Sequence, residues 1–150
     1  MKVLIDTREK DVLEFQIGQL VKSTEITTLP FADYWAEEDG HISNIVFERK
    51  NLPDLFSTLT KGMVRFKKEL YRAKVAKSRL VIIVEGTESQ CYQGVPYSRV
   101  HGIQILRTIA TLWVKNGVET WFFSSRADMK LRMGLTWESY FRNLPRSGEK

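Results

Sequence analysis

Hydrophobic positions along this chain change their period from segment to segment, and the changes predict its elements. Lys2–Asp6 (KVLID) is an apolar run ending in an acid, the pattern of a buried strand. Leu13, Ile17, Leu20 and Val21 then recur at helical spacing, with Thr7 or Asp11 placed to cap a helix. Thr24–Leu29 alternates and is rich in β-branched residues, so it predicts a strand, which Pro30 breaks. Asp33–Glu38 and His41–Lys50 flank Asp39-Gly40, a hairpin signal. Asn51 predicts an N-cap, with Pro53 and Asp54 in the first turn of a short helix to Leu59. Lys61-Gly62 interrupts, and Met63, Phe66, Leu70 and Ala73 mark the apolar stripe of a helix to about Lys77. Leu80–Glu85 (LVIIVE) is continuously apolar and predicts a central strand covered on both faces. Thr87–Tyr97 reads as a polar loop, and Ser98 as the cap of a long helix to Lys115, closed by Asn116-Gly117. The apolar residues of that helix cover more than one stripe, so it is deeply buried or shares a face with a partner. Val118–Phe123 predicts a strand, Ala127–Phe141 a last helix, and residues 146–150 a frayed tail. The order β-α-β-β-β-α-α-β-α-β-α predicts the α/β class, a mixed central sheet flanked by helices.

The hairpin brings chemistry together. A two-residue turn pairs Glu38 with His41 and, counted outward, Asp33 with Val46. Val46, Glu48 and Lys50 then share one strand face, and Asp33 points to the same face. Asp33 and Glu48 become diagonal neighbours, roughly 7–8 Å apart at the backbone.

Composition narrows the classes. With 150 residues, 43% hydrophobic and 27% charged, the chain predicts one ordinary globular domain without a repeat. No stretch has the apolar length of a membrane span, and the N-terminal residues read as a strand rather than a signal peptide. The single cysteine, Cys91, excludes an internal disulfide and a cysteine-cluster zinc site, and His41 and His101 are the only histidines. The default compartment is cytoplasmic. Net charge is +5, but Lys61–Arg79 holds eight cations against Glu69 alone, a net +7, leaving −2 elsewhere. A localised basic face predicts a polyanionic partner; its bland counterpart is a solvated lysine-rich helix.

Asp33…Glu48-Arg49-Lys50 has the form D-Xn-E-X-K. Phosphodiester hydrolysis needs a cation to neutralise phosphate and lower the pKa of the attacking water. Mg²⁺ takes carboxylate oxygen and keeps several waters, so two or three acids suffice. Lysine on the same face can orient or deprotonate that water, or steady developing charge. Each residue also has a structural reading. Asp54 suits a helix first turn, Asp6 can cap a strand end, and Glu48 and Lys50 can form an exposed ion pair of small energetic value. Val46 on their face and Ile45 and Phe47 on the other indicate a buried strand, where an unpartnered carboxylate is costly. His101 reads as a core histidine, and Trp121-Phe122-Phe123 as strand core.

Taken together, Ile5-Asp6-Thr7-Arg8-Glu9, Asp33 and Glu48-Arg49-Lys50-Asn51-Leu52-Pro53-Asp54 resemble the XPF-type structure-specific nucleases, whose signature is GD-Xn-ERK-X3-D preceded by D-x-R-E. The likeness extends through Arg65–Leu70, Leu80–Gly86 and Ser124-Ser125. It implies a restriction-endonuclease-like fold over residues 1–143, with 144–150 as a flexible tail. It also implies Mg²⁺- or Mn²⁺-dependent endonucleolytic cleavage of branched, flap or forked DNA. Asp33 and Glu48 would be metal ligands, with Asp6, Glu9 and Asp54 contributing acids, Lys50 the catalytic lysine, and Arg49 an organiser of the site. Arg8, Lys61, Arg65, Lys68 and Arg72 would contact DNA. The family commonly forms dimers through its later helices, so a homodimer is expected. Two departures stand out. Ala32 replaces the usual glycine, which alanine can do unless φ is positive. A single nuclease domain without the family's helix-hairpin-helix domain is expected, which would leave DNA affinity to the basic helix, to dimerisation or to a partner protein. The alternative class is a catalytically silent DNA-binding or scaffolding subunit; an RNA or unbranched-duplex nuclease is a third reading.

Overall fold

Leu80, Ile82 and Val84 are buried on one side of their strand and Val81 and Ile83 on the other, so this run lies at the middle of a sheet covered on both faces. The computed structural model describes residues 1–145. Its strands are β1 (Lys2–Asp6), β2 (Ser23–Thr27), β3 (Tyr34–Glu38), β4 (His41–Ile42), β5 (Ile45–Asn51), β6 (Arg79–Glu85) and β7 (Glu119–Phe123). The helices are α1 (Leu52–Thr58), α2 (Met63–Val75), α3 (Glu88–Gln93), α4 (Gly102–Asn116) and α5 (Arg126–Arg142). The sheet order is β2-β1-β3-β5-β6-β7, with β4 paired to β3. β1–β2, β5–β6 and β6–β7 are parallel; β1–β3 and β3–β5 are antiparallel. The expected mixed sheet with helices on both faces is therefore the architecture. Residues 146–150, where the frayed tail was expected, lie outside the described residues, and no helix among those described is long and apolar enough to cross a membrane.

Two apolar cores sandwich the sheet. On one face, Val46, Ile82 and Val84 meet α1, α2, α3 and α4 through Leu55, Phe66, Leu70, Cys91 and Ile105. On the other, Val3, Tyr34, Phe47 and Ile83 pack against Leu13 and against Met129, Met133 and Trp137 of α5. Alternation along β5 thus assigns Val46 to the first core and Phe47 to the second.

Four sequence expectations are corrected. The helix predicted around Leu13–Val21 does not form. Leu13 and Val21 are buried, but Ile17 is 58% exposed, so no continuous stripe exists to drive a helix. The segment instead crosses irregularly from β1 to parallel β2, with the Leu13 amide held by the Tyr34 hydroxyl at 2.9 Å. The polar loop at Thr87–Tyr97 contains α3, whose start is a capping box between Thr87 and Gln90. The long helix begins at Gly102 rather than after Ser98, with His101 as its N-cap; His101 is exposed, not a core histidine. Finally, the hairpin is not continuous. Glu38 pairs with His41 as expected, but Tyr34 pairs with Phe47, so two extra residues enter the second strand between Ser43 and Phe47. The Ser43 hydroxyl takes the Ile45 amide at 3.0 Å, and Trp137 Nε1 donates to the Ile45 carbonyl at 2.8 Å, filling the break.

Candidate active site

The two-residue insertion moves Asp33 from a diagonal position to one directly opposite Glu48. Because two is the side-chain period of a strand, the face is conserved. Asp33 is fixed by its backbone: its amide donates to the Phe47 carbonyl at 2.9 Å, and its carbonyl accepts from the Asp6 amide at 2.9 Å. Its carboxylate accepts the Arg49 amide at 2.8 Å. The residue before it, Ala32, has φ +61° and is buried. This is the left-handed region that favours glycine, so the condition under which alanine is a poor substitute is met and the Ala32 departure carries strain.

Glu48 is 5% exposed, in parallel register with Ile82. Burial pushes its pKa well above the usual carboxylate range, and contacts with Glu69 and Asp33 add to the rise. Asp33 is raised as well, through burial first, with Glu9 adding charge repulsion and Glu48, the Arg49 amide and Lys50 pulling the other way. Glu69 comes from α2, and its Oε1 is buried without a hydrogen-bond partner. It is the one acid of the basic helix and was not singled out in the sequence. Its spacing of three residues from Phe66 and four from Ala73 was the available signal, since these steps place it beside the buried stripe.

Among the remaining acids, Asp54 lines the same cleft from the first turn of α1, where its amide donates to the Asn51 side chain at 2.8 Å. Glu9 lines it too, but its carboxylate is held by the Tyr34 hydroxyl at 2.6 Å and Arg49 Nε at 3.0 Å. Asp6 does not line it. At 1% exposure, Asp6 accepts the Leu29 amide at 2.9 Å and Arg8 Nε at 2.6 Å. Burial opposes its ionisation, yet Arg8 and the Leu29 amide outweigh it and lower the pKa. Asp6 thus ties the loop after β1 to the loop before β3 and supplies an amide that holds Asp33.

Lys50 shares the Glu48 face, while Arg49 points to the other. Arg49 donates to Glu9, to Glu85 at 2.6 Å and to the Asp11 carbonyl. Arg126 joins Glu85 at 3.0 Å and also pairs with Asp11. The result is a network in which Arg49 binds the ends of β5 and β6 to the β1–β2 crossover. Glu85 and Arg126 also escaped the sequence reading, because only the parallel β5–β6 register brings Glu85 beside the end of β5.

The cleft has a volume of about 430 Å³ and is also lined by Arg8, Lys10 and Asn51. Arg65, Lys68 and Arg72 are exposed on the flank of α2 that carries Glu69, and Lys61 is exposed just before it. Lys67 and Lys74 take the opposite flank, lining a separate groove of about 940 Å³ with Lys77, Arg79 and Lys115. Among the described residues, no three acid, histidine or cysteine side chains are arranged to hold a metal ion unaided. The donor chemistry nevertheless fits a hard divalent cation. Glu48 lies against two further carboxyls, and the buried Glu69 Oε1 has no hydrogen-bond partner.

Comparison with known proteins agrees with this geometry. A family described as the ERCC4 domain matches residues 5–130. Among solved structures, XPF from Aeropyrum pernix superposes with a TM-score of 0.70 at 21% identity, covering 96% of this chain and 67% of that one. A second structure, XPF from Aeropyrum pernix in complex with DNA, gives 0.67 at 23% identity, covering 99% and 69%. At these identities the likeness establishes the fold. No curated protein gives a significant match.

Proposed function

The chain belongs to the ERCC4 domain family, and on that footing we propose that it is a divalent-metal-dependent DNA endonuclease that hydrolyses phosphodiester bonds at branched, flap or forked DNA. One observation carries the reading: the buried Glu48 carboxyl lies against Asp33, with Lys50 on the same face of an open cleft. Such a group of acids is costly to ionise without a cation. DNA as substrate is supported by the similar XPF structure recorded in complex with DNA and by the basic flank of α2.

Asp33 and Glu48 would hold Mg²⁺ or Mn²⁺, with Asp54 at the rim and the rest of the shell supplied by water and phosphate. When bound, the ion neutralises phosphate charge and acidifies water. Lys50 orients the attacking water or steadies the charge that develops on the phosphate. Arg49 keeps the end of β5 in place, and Asp6 and Glu9 act beneath it through Asp33, Arg49 and Tyr34. Arg8, Lys61, Arg65, Lys68 and Arg72 receive the DNA backbone. A second copy of the chain would cover exposed apolar positions of α4, Trp113 at 56% and Val114, or of α5, Leu131 and Leu135. A partner protein could occupy that position in a heteromeric assembly.

The test is a cleavage assay on single-stranded, duplex, flap, fork and four-way DNA with Mg²⁺ or Mn²⁺. Cutting strongest on branched forms and reduced at least about 100-fold in Asp33→Ala and Lys50→Ala is the expected result. Salt-sensitive binding without cutting, unchanged in Asp33→Ala, would instead make the chain a silent DNA-binding subunit.

A further inference from the structure

Tyr97 is 107% exposed and sits at φ +63°, a backbone region that a bulky side chain seldom adopts. An aromatic ring held fully in water on strained backbone has no folding role to explain it, and such strain concentrates at ligand-contacting sites. Its surroundings form a built loop. The chain leaves α3 and enters α4 through residues 94–101, and the two ends are pressed together. A Cβ on Gly102 would lie 2.1 Å from the Cys91 carbonyl and 2.3 Å from that of Tyr92, so only glycine permits this contact. Inside the loop, the Val100 amide donates to the Ser98 hydroxyl at 3.2 Å. A short loop with joined ends and its own hydrogen bonds is preorganised, which lowers the entropy lost on binding.

The loop encloses a hollow of about 660 Å³ lined by Tyr92, Val95, Ser98, Arg99 and His101. Tyr92 is exposed beside it, as are Arg99 and His101, and Glu88 at the start of α3 is the one acid between Gly86 and His101. The loop also lies at the catalytic end of the sheet. Glu85 lines the Asp33–Glu48 cleft, and the chain passes from it through Gly86 directly into α3. α3 packs on the same sheet face as Glu48 and Lys50, through buried Cys91. Leu52 of α1 fills the space that a Gly86 Cβ would need, at 2.9 Å, which seats α1 against the start of α3.

Flat rings and cations, exposed and preorganised at the same end of the sheet as a cleft for phosphodiesters, match the chemistry of an unpaired nucleobase and its phosphate. A base paired in a duplex offers no free face to a ring. We propose that the α3–α4 loop binds an unpaired strand, with Tyr97 and Tyr92 stacking on bases and Arg99 taking a phosphate. This rests on the DNA reading given above and names the part of the substrate that the loop reads.

The experiment is fluorescence anisotropy in EDTA, so that nothing is cut, with labelled oligo-dT, a fork bearing single-stranded arms and a blunt duplex. Wild type is compared with Y92A/Y97A, R99A, Y97F and Y97G. Base–aromatic stacking of about 1–3 kcal/mol per base corresponds to a roughly 5- to 150-fold loss of oligo-dT affinity for each ring removed, so Y92A/Y97A should lose at least that much. R99A is expected to lose less and to flatten the salt dependence. Blunt-duplex affinity stays within about twofold, and Y97F retains wild-type binding, because the ring and not the hydroxyl stacks. Y97G is the control for folding: it relieves the positive φ, so its melting temperature holds or rises while oligo-dT affinity falls. Equal loss on all three DNA forms, or no loss on oligo-dT, overturns the proposal while leaving the nuclease reading intact. Failure of wild type to bind any DNA overturns both.

Discussion

Glu48 stands between Asp33 and Glu69 with its carboxyl almost wholly out of water, and the consequence is a pH dependence that runs opposite to that of a salt-bridged acid. The folded-state pKa values of Glu48 and Asp33 lie above their ordinary values, so the folded protein holds more protons than the unfolded chain in that window. Without metal, the contribution of these two acids to stability should be fully present below the ordinary carboxylate pKa and should be lost as pH rises through the elevated values, while Asp6, held by Arg8 and the Leu29 amide, contributes in the opposite sense at acid pH. Thermal melts in EDTA across pH 4 to 8 read this directly, and Glu69→Gln, which removes one neighbouring charge, should raise stability at pH 7 by about 1 kcal/mol and flatten the slope. Ala32 gives a second residue-scale prediction. Its left-handed backbone costs about 1–2 kcal/mol. Glycine would relieve that strain but lose about 0.8 kcal/mol of methyl burial and about 0.4–1 kcal/mol through the freer unfolded chain. Ala32→Gly should therefore change stability by less than about 1 kcal/mol, whereas Ala32→Val, β-branched at positive φ, should cost about 2 kcal/mol or more in a denaturant melt. The near-cancellation explains how alanine persists at this position. That φ is positive here could not be read from the sequence, because the bend at Phe31–Asp33 is imposed by bonds to Asp6 and Phe47.

At the scale of elements, Arg49 is the residue on which several segments converge. Removing its guanidinium leaves Glu9 and Glu85 facing each other across a partly buried space, and Arg49→Ala should cost about 2–4 kcal/mol, somewhat less than a fully buried pair because Glu85 still reaches water. Arg49→Lys should recover little, since one ammonium cannot reproduce a fork directed at Glu9, Glu85 and the Asp11 carbonyl. Equilibrium unfolding checks both. The elements that were legible share a feature: burial on one stripe or on both faces, as in β6 and α2, or explicit capping, as at Asn51 and Gly117. Those that were not legible lacked one of these. Leu13–Val21 carried helical spacing, but its members are held by separate partners in a crossover, so spacing had no common surface to report. α3 did carry a signal, Thr87-x-x-Gln90, although no apolar run followed it and it passed as loop.

Across the whole molecule, function divides by face and by end of the sheet. The acids and Lys50 open at the C-terminal end of β5, the loop with Tyr97 follows β6 at that same end, and the groove of Lys74, Lys77 and Lys115 lies toward the N-terminal ends of β6 and β7. DNA placed for cleavage should therefore use the Arg65–Lys68–Arg72 flank and leave the far groove largely free. Alanine at Lys68 or Arg72 should weaken duplex binding uniformly across sequences and lower the slope of log affinity against log salt by about 1 each, whereas Lys77→Ala and Lys115→Ala should leave that slope almost unchanged. Binding titrations at several salt concentrations decide it. The site itself was legible to the extent that it depends on alternation: Asp33, Glu48 and Lys50 share a face because strands have period two. Glu69, Glu85 and Arg126 come from elsewhere in the chain and meet the site only through tertiary packing and parallel register, which no local pattern encodes.

The two extra residues between Ser43 and Phe47 give the hairpin a kind of reading frame. Insertions or deletions in even steps leave Asp33 and Glu48 on one side of the sheet, and removing Ser43 and Asn44 together would preserve the Tyr34–Phe47 pairing. A single-residue change would turn one acid to the opposite core. The spacing between the two acids is thus free to drift in length but not in parity, so the chemistry can outlive considerable remodelling of the hairpin that carries it.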